Sequence, residues 1–241
     1  MKSNKLVMAA LLVAASGAVS AADPSTVAAA QKIHALSNQV QSFQANLKVI
    51  DDTDGKAEAS TSSITASRTM GWKIKGNGDD GPYEIVSDYK KMSTYVPKEN
   101  KVYEMSAERP EAIGMLRKVI TDLNPLELMS QDSMKLVGQE TLAGEPVLHF
   151  TGTTVTAAMR NVPPVKRNLE AWVSPKDGLP RKTVETVGQS SGSTIYSDVR
   201  VGIPVEAATF QFTPPQGVQV VDVNAQIKRM EQQPSTPEKQ P

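Results

Sequence analysis

The chain has 241 residues, with 26 basic and 26 acidic side chains, two histidines and no cysteine. That length holds one generous domain or two small ones, and the balanced charge leaves no footprint for nucleic acid or an anionic membrane. Without cysteine there is neither a disulfide framework nor a thiol that could carry a lipid anchor.

Residues 1–21 read as an export signal. Lys2 and Lys5 precede an apolar run from Leu6 to Ala15, and small residues follow at Val19-Ser20-Ala21. The run is too short to span a bilayer, so the expectation is a chain released into the periplasm. Residues 22–223 are then expected as one domain. After Asp23-Pro24-Ser25, the residues Val27, Ala30, Ile33, Leu36 and Val40 recur at threes and fours, which predicts an amphipathic helix. The period then changes: Phe43, Ala45, Leu47 and Val49 alternate with polar residues and predict a half-buried strand, closed by a turn at Asp51–Gly55.

From there to Met105 the chain reads as a meander. Ala57–Ser67 is a polar strand, Met70, Trp72 and Ile74 share a face of the next, and Tyr83, Ile85 and Ser87 share a face of the third. Met92–Val96 and Lys101–Met105 follow. The links are only a few residues long, so neighbouring strands are expected to pair antiparallel. Ile113, Leu116, Val119 and Ile120 then mark a second helical stripe, ended at Asn124-Pro125 and followed by about one more turn at Leu126–Met129. Strands are expected again at Met134–Val137, Pro146–Thr151, Asn168–Ser174, Arg181–Val187 and Thr194–Val199. Between two of them, Thr156–Arg160 reads as a short helix. The tail 224–241 is polar and broken by prolines, and should hold a short helix at most.

Motifs that spell chemistry fail on their surroundings. Gly76-Asn77-Gly78-Asp79-Asp80-Gly81 fits a dinucleotide pattern, but Pro82-Tyr83 opens a strand rather than a helix and two aspartates would repel a pyrophosphate. Gly188-Gln189-Ser190-Ser191-Gly192 fits a nucleophile elbow, but Thr194-Ile195-Tyr196 is strand-like. Asp52 and Asp54 resemble part of a calcium loop in which Thr61 stands where a bidentate acid is needed. His34 and His149 have no ligand cluster at metal spacing in sequence, so both read as structural. No catalytic constellation, metal site or cofactor is expected, and the chain reads as no enzyme.

The last ordered stretch carries the most specific signal. Thr209-Phe210-Gln211-Phe212-Thr213-Pro214-Pro215-Gln216-Gly217-Val218-Gln219-Val220 reads as a strand that breaks at the prolines, turns and pairs again. This Phe-x-Phe-x-Pro-Pro-x-Gly-Val-x-Val run closely resembles the C-terminal signature of the LolA family, periplasmic carriers of outer-membrane lipoproteins. Tyr83–Asp88 followed by Met92–Pro97 resembles that family's central hairpin, and Gly178-Leu179-Pro180-Arg181 the turn before its late strands. The family's Arg-Pro pair, aromatic and arginine on the strand entering that hairpin are only partly matched. Trp72 stands for the aromatic, but Arg68–Lys75 offers no clear counterpart of the arginine that holds the lid.

The resemblance implies an α+β fold, an unclosed antiparallel barrel of about eleven strands with helices as a lid over its concave face. It implies that Phe43, Leu47, Trp72, Ile74, Tyr83 and Ile85, with Met92, Leu148 and Phe150, line a lipid-binding wall, joined by Phe210 and Phe212. Ile113, Leu116, Val119 and Ile120 would face them from the lid. The implied role is carriage of acyl chains or lipoproteins toward the outer membrane, with an inner-membrane ABC transporter and an outer-membrane receptor as partners. The alternative is a periplasmic regulatory module of the RseB type that binds protein partners.

Overall fold

The computed structural model describes residues 23–53, 55–78, 81–108, 123–155 and 165–232. The export signal, the stripe Ile113, Leu116, Val119 and Ile120, the short helix read at Thr156–Arg160 and residues 233–241 lie outside the described residues.

Helix α1 spans Pro24–Gln39. It starts where it does because the Asp23 carboxylate accepts the backbone N–H groups of Ser25 and Thr26, and Pro24 needs no amide partner in the first turn. Six strands follow: β1 (Ser42–Thr53), β2 (Lys56–Ser67), β3 (Gly71–Gly78), β4 (Gly81–Ser87), β5 (Lys91–Val96) and β6 (Lys101–Ser106). After a 3-10 turn at Pro125–Leu128 come β7 (Lys135–Leu142), β8 (Glu145–Val155), β9 (Lys166–Val173), β10 (Pro180–Val187) and β11 (Ser190–Val201). A 3-10 turn at Ala207–Phe210, strand β12 (Gln219–Asp222) and helix α2 (Val223–Gln232) are the last elements of the described residues.

All twelve strands form one sheet in the order β12-β6-β5-β4-β3-β2-β1-β11-β10-β9-β8-β7. The two meanders join where β1 pairs antiparallel with β11, and the sheet stays open at β12 and β7. This is the expected half-barrel, with twelve strands in place of about eleven. The meander links behave as the short loops predicted, but the last strand does not: β12 runs parallel to β6, Gln219 beside Lys101 and Asp222 beside Glu104. A parallel pair needs a long crossover, and the chain between these two strands supplies one.

Side-chain faces follow from the register, since directly opposed residues point the same way. On one face stand Phe43, Ala66, Trp72, Ser87 and Met92 in one rank, and Ala45, Ile64, Ile74 and Ile85 in the next. Through Leu47–Tyr196, Thr194–Thr183, Thr183–Ala171 and Ala171–Phe150 the same face continues to the other half of the sheet. Helix α1 covers that half: Ile33 is buried against Phe150, Leu169, Ala171 and Val173, with Leu126, Met129 and Met134 around them. We call this the covered face.

The turn Pro175–Leu179 seats the helix. Gly178 has φ +73°, and a methyl group there would stand 2.5 Å from the Ile33 carbonyl oxygen and 2.5 Å from the Ser37 amide nitrogen. Only glycine allows the turn to lie this close to the helix backbone.

The terminal motif corrects the sequence reading. Phe210 ends a 3-10 turn rather than sharing a strand with Phe212. It is buried at 2 % exposure against Gly71, whose added Cβ would lie 2.8 Å from the Phe210 Cβ. Gly71 and Trp72 are successive strand residues and face opposite ways, so Phe210 packs on the outer face. Phe212 sits there too, its ring 6.0 Å from that of Tyr95. Neither ring joins the wall expected of it. The tail begins with the ten-residue α2, pinned by Asn224, whose Nδ2 donates to the Ser106 carbonyl (3.1 Å) and hydroxyl (2.7 Å).

Candidate functional site

Nine of the eleven described residues expected to form an apolar wall lie on the covered face, yet the structure divides them. Phe43 and Trp72 are buried in a cluster with Val40, Ala45, Ile64, Ala66, Leu123 and Leu179. Leu47, Ile74, Ile85 and Met92 flank that cluster half-buried, as does Tyr83 farther along the strand. Phe150 is fully buried and Leu148 half-buried in the separate cluster beneath α1. Three of the nine therefore act as sealed core, and six leave apolar surface partly open.

Sequence reading missed Leu123 and Leu179, which join Phe43 and Trp72 in that buried cluster. It also missed Leu169, Ala171 and Val173, although their alternation within Asn168–Ser174 carries the same signal as that of β1.

Two polar devices hold the cover in place. Arg68 donates from Nη2 to the Ser37 carbonyl (2.9 Å) and from Nε to the Val40 carbonyl (3.2 Å), bonding the chain at the C-terminal end of α1. Arg181, only 8 % exposed, donates through Nε and Nη2 to both oxygens of Glu145 (2.7 and 2.9 Å) and through Nη2 to Asp177 (2.7 Å). The Arg181 hydrogen bonds hold the Glu145 carboxyl below the usual carboxylate range, against the opposing effect of burial. Burial acts to lower the guanidinium pKa, but the bonds from Glu145 and Asp177 outweigh it and raise the value. Asp177 belongs to the turn that seats α1, so this network fixes the helix from below.

The two histidines are both satisfied. His149 sits on the outer face between Glu140 (2.7 Å) and Glu170 (3.0 Å), stacked on Trp172 at 4.2 Å. Those carboxylates come from the neighbouring strands β7 and β9, which the linear spacing could not show. Hydrogen bonds from the Trp172 indole and from His149 lower the Glu140 pKa. His34 Nδ1 meets Glu127 at 2.8 Å across the end of α1. Among the described residues no group of three or more His, Cys, Asp or Glu could hold a metal ion.

Two depressions open elsewhere. One of about 650 Å³ runs between α1 and the Pro125–Leu128 turn, floored by Ala30, Leu126, Met129 and Met134 and rimmed by Gln31, His34, Glu127 and Asp132. The other, of about 580 Å³, is bordered by Asn46, Lys48, Ser63 and Lys75 of the outer face and by Leu47, Ser62 and Gly76 of the covered face. Of the half-buried apolar residues, Leu47 lines the second depression and the others line neither.

Residues 27–224 match the family described as "Predicted periplasmic protein (DUF2092)". No curated protein matches the chain in sequence. Solved structures of similar fold include LprF from Mycobacterium bovis, 14 % identical with a TM-score of 0.50 over 82 % of this chain and 99 % of that one. The MucA/MucB complex of Pseudomonas aeruginosa gives 19 % identity and a TM-score of 0.48 over 81 % of this chain and 64 % of that one. A LolA superfamily protein from Nitrosomonas europaea gives 12 % and 0.38 over 76 % and 97 %. At 14 % identity the likeness to LprF is one of fold.

Proposed function

We propose that this chain, which belongs to the DUF2092 family of predicted periplasmic proteins, shelters acyl chains of a lipid or lipoprotein against the covered face of its sheet while they cross the periplasm. One observation carries the reading. The face gathers apolar residues from strands on both sides of the β1–β11 joint, and Leu47, Ile74, Tyr83, Ile85, Met92 and Leu148 among them remain half-buried. An ordinary core would seal them, as it seals Phe150 at 0 % exposure.

The energetics show why such a face is useful. Each methylene withdrawn from water gains about 0.8 kcal/mol, so a chain of roughly fifteen carbons costs on the order of 12 kcal/mol to expose. A lipid therefore passes from one apolar surface to another rather than through water. In this reading an inner-membrane ABC transporter is the donor and an outer-membrane receptor the acceptor. The buried Phe43 and Trp72 support the sheet from beneath, and the half-buried rank receives the tails.

The test is mass spectrometry of lipids that co-purify with the mature protein, beside Ile74→Glu. The substitution puts a charge into the open apolar rank, where an unpaired carboxylate is costly. Lipid retention should fall by at least about tenfold, with circular dichroism unchanged. Undiminished retention would remove Ile74 from the binding wall, and absence of any lipid from the wild type would sink the carrier role.

A further inference from the structure

The covered face changes character along the strands, and we propose that its ligand is an amphiphile with an uncharged, hydroxyl-rich head seated toward the β1–β2 hairpin. This rests on the carrier reading above and names the substrate class for the same face. The register sets the gradient. Ala45, Ile64, Ile74 and Ile85 stand abreast in one apolar rank. Two residues farther along, about 7 Å, the rank reads Tyr83, Gly76, Ser62, Leu47 and Tyr196. A methyl group on Gly76 would stand 2.5 Å from the Tyr83 hydroxyl oxygen and 2.9 Å from the Ser62 Cβ, so the phenol lies across Gly76 toward Ser62. The rank beyond brings Ser60, Val49, Thr194 and Thr183 together. Each of these hydroxyl-bearing residues is half-buried.

The rank after that is acidic: Asp51 opposes Glu58 on one side and Gly192 on the other, and Glu185 follows. Among the described residues, the cations on this side are engaged or stand beyond the acids. Arg167 donates to Glu185 at 3.0 Å, Lys101 pairs with Glu99 at 3.5 Å, and Lys56 stands at the last pair of the hairpin, beyond the acids. A phosphate or carboxylate head in the hydroxyl ranks would face the exposed carboxylates of Asp51 and Glu58, and like charges repel. Hydroxyl groups both donate and accept, so a polyol head satisfies Ser, Thr and Tyr hydroxyls without a counter-charge. The apolar ranks then take the tails, and the hydroxyl ranks take the head.

The experiment uses the mature full chain loaded with the fluorescent apolar probe N-phenyl-1-naphthylamine. The probe is displaced by dodecyl maltoside or by dodecyl phosphate, each below its micelle concentration. The two competitors share one tail, so their difference reports the head. The maltoside should displace at about tenfold lower concentration, the size of two net hydrogen bonds. The double variant Ser62→Ala, Thr194→Val should bring the two competitors to within about threefold of each other. Equal or stronger displacement by the phosphate overturns the inference while leaving the carrier reading intact, because the probe itself has bound. A preference that survives the double variant unchanged also overturns it. Failure of the wild type to bind the probe defeats the carrier reading first, and this inference with it.

Discussion

Replacing Arg181 with methionine should cost about 3 kcal/mol of folding stability at neutral pH. The guanidinium is 8 % exposed and bonded to Glu145 at 2.7 and 2.9 Å and to Asp177 at 2.7 Å. Methionine fills much of the space but leaves both carboxylates without their cation. Removing one partner of a buried pair costs about 3–5 kcal/mol. Glu145 keeps 27 % and Asp177 14 % side-chain exposure, so water softens the loss and the lower end applies. For a domain of this size that corresponds to a fall in Tm of about 6–12 °C. The pH dependence has a definite sign. Arg181 first, then Ser174, lowers the Glu145 pKa in the folded chain, so the stabilisation is present above its unfolded value and is lost as pH falls through the folded one. The gap between wild type and variant should thus be full at pH 7 and shrink below about pH 4. Urea unfolding followed by circular dichroism at both pH values measures it. Equal midpoints at pH 7, or a gap that does not narrow in acid, would refute the assignment of the network as the support of the α1-seating turn.

Two further substitutions probe the frame. Gly178→Ala drives a methyl group to 2.5 Å from the backbone of α1 at a positive φ and should cost about 3 kcal/mol. Amide exchange in α1 should speed up more than in β3, and uniform exchange would count against a local docking role. Phe210→Ala should lose about 3–5 kcal/mol, as for any fully buried phenylalanine. Because its ring lies on the outer face, naphthylamine binding by the folded variant at low temperature should match wild type, whereas lost binding would place Phe210 in the wall after all.

Alternation alone placed most of the strands, because a meander with short links leaves neighbouring strands little choice of partner. It also placed Phe43, Leu47, Trp72, Ile74 and Ile85 on one side, since a period of two fixes the face once the register is known. What it could not supply was the depth of cover. Trp72 and Ile74 are two residues apart on the same face, yet one is buried within the cluster and the other only flanks it half-buried. The terminal motif was recognised but its geometry was misread: two phenylalanines two apart look like a strand, whereas Phe210 ends a 3-10 turn and packs closely on the glycine at position 71. The parallel pairing of β12 was hidden for a similar reason, because no local rule links residue 219 to residue 101. Polar networks were the least legible. Arg181, Glu145 and Asp177 gather from β10, the start of β8 and the turn before β10, and Arg68 acts on carbonyls that no side-chain pattern reveals.

The pairing of β12 with β6 bears on how the molecule matures. Glu104 waits for Asp222, 118 positions later, before its strand gains a neighbour on that side. A chain emerging amino-end first from a ribosome or a translocation pore would therefore carry a bare strand edge until nearly all of it is out. Bare edges invite pairing with other chains, so the moment of greatest aggregation risk should come late, and a holding chaperone would be most useful just before the last strand arrives.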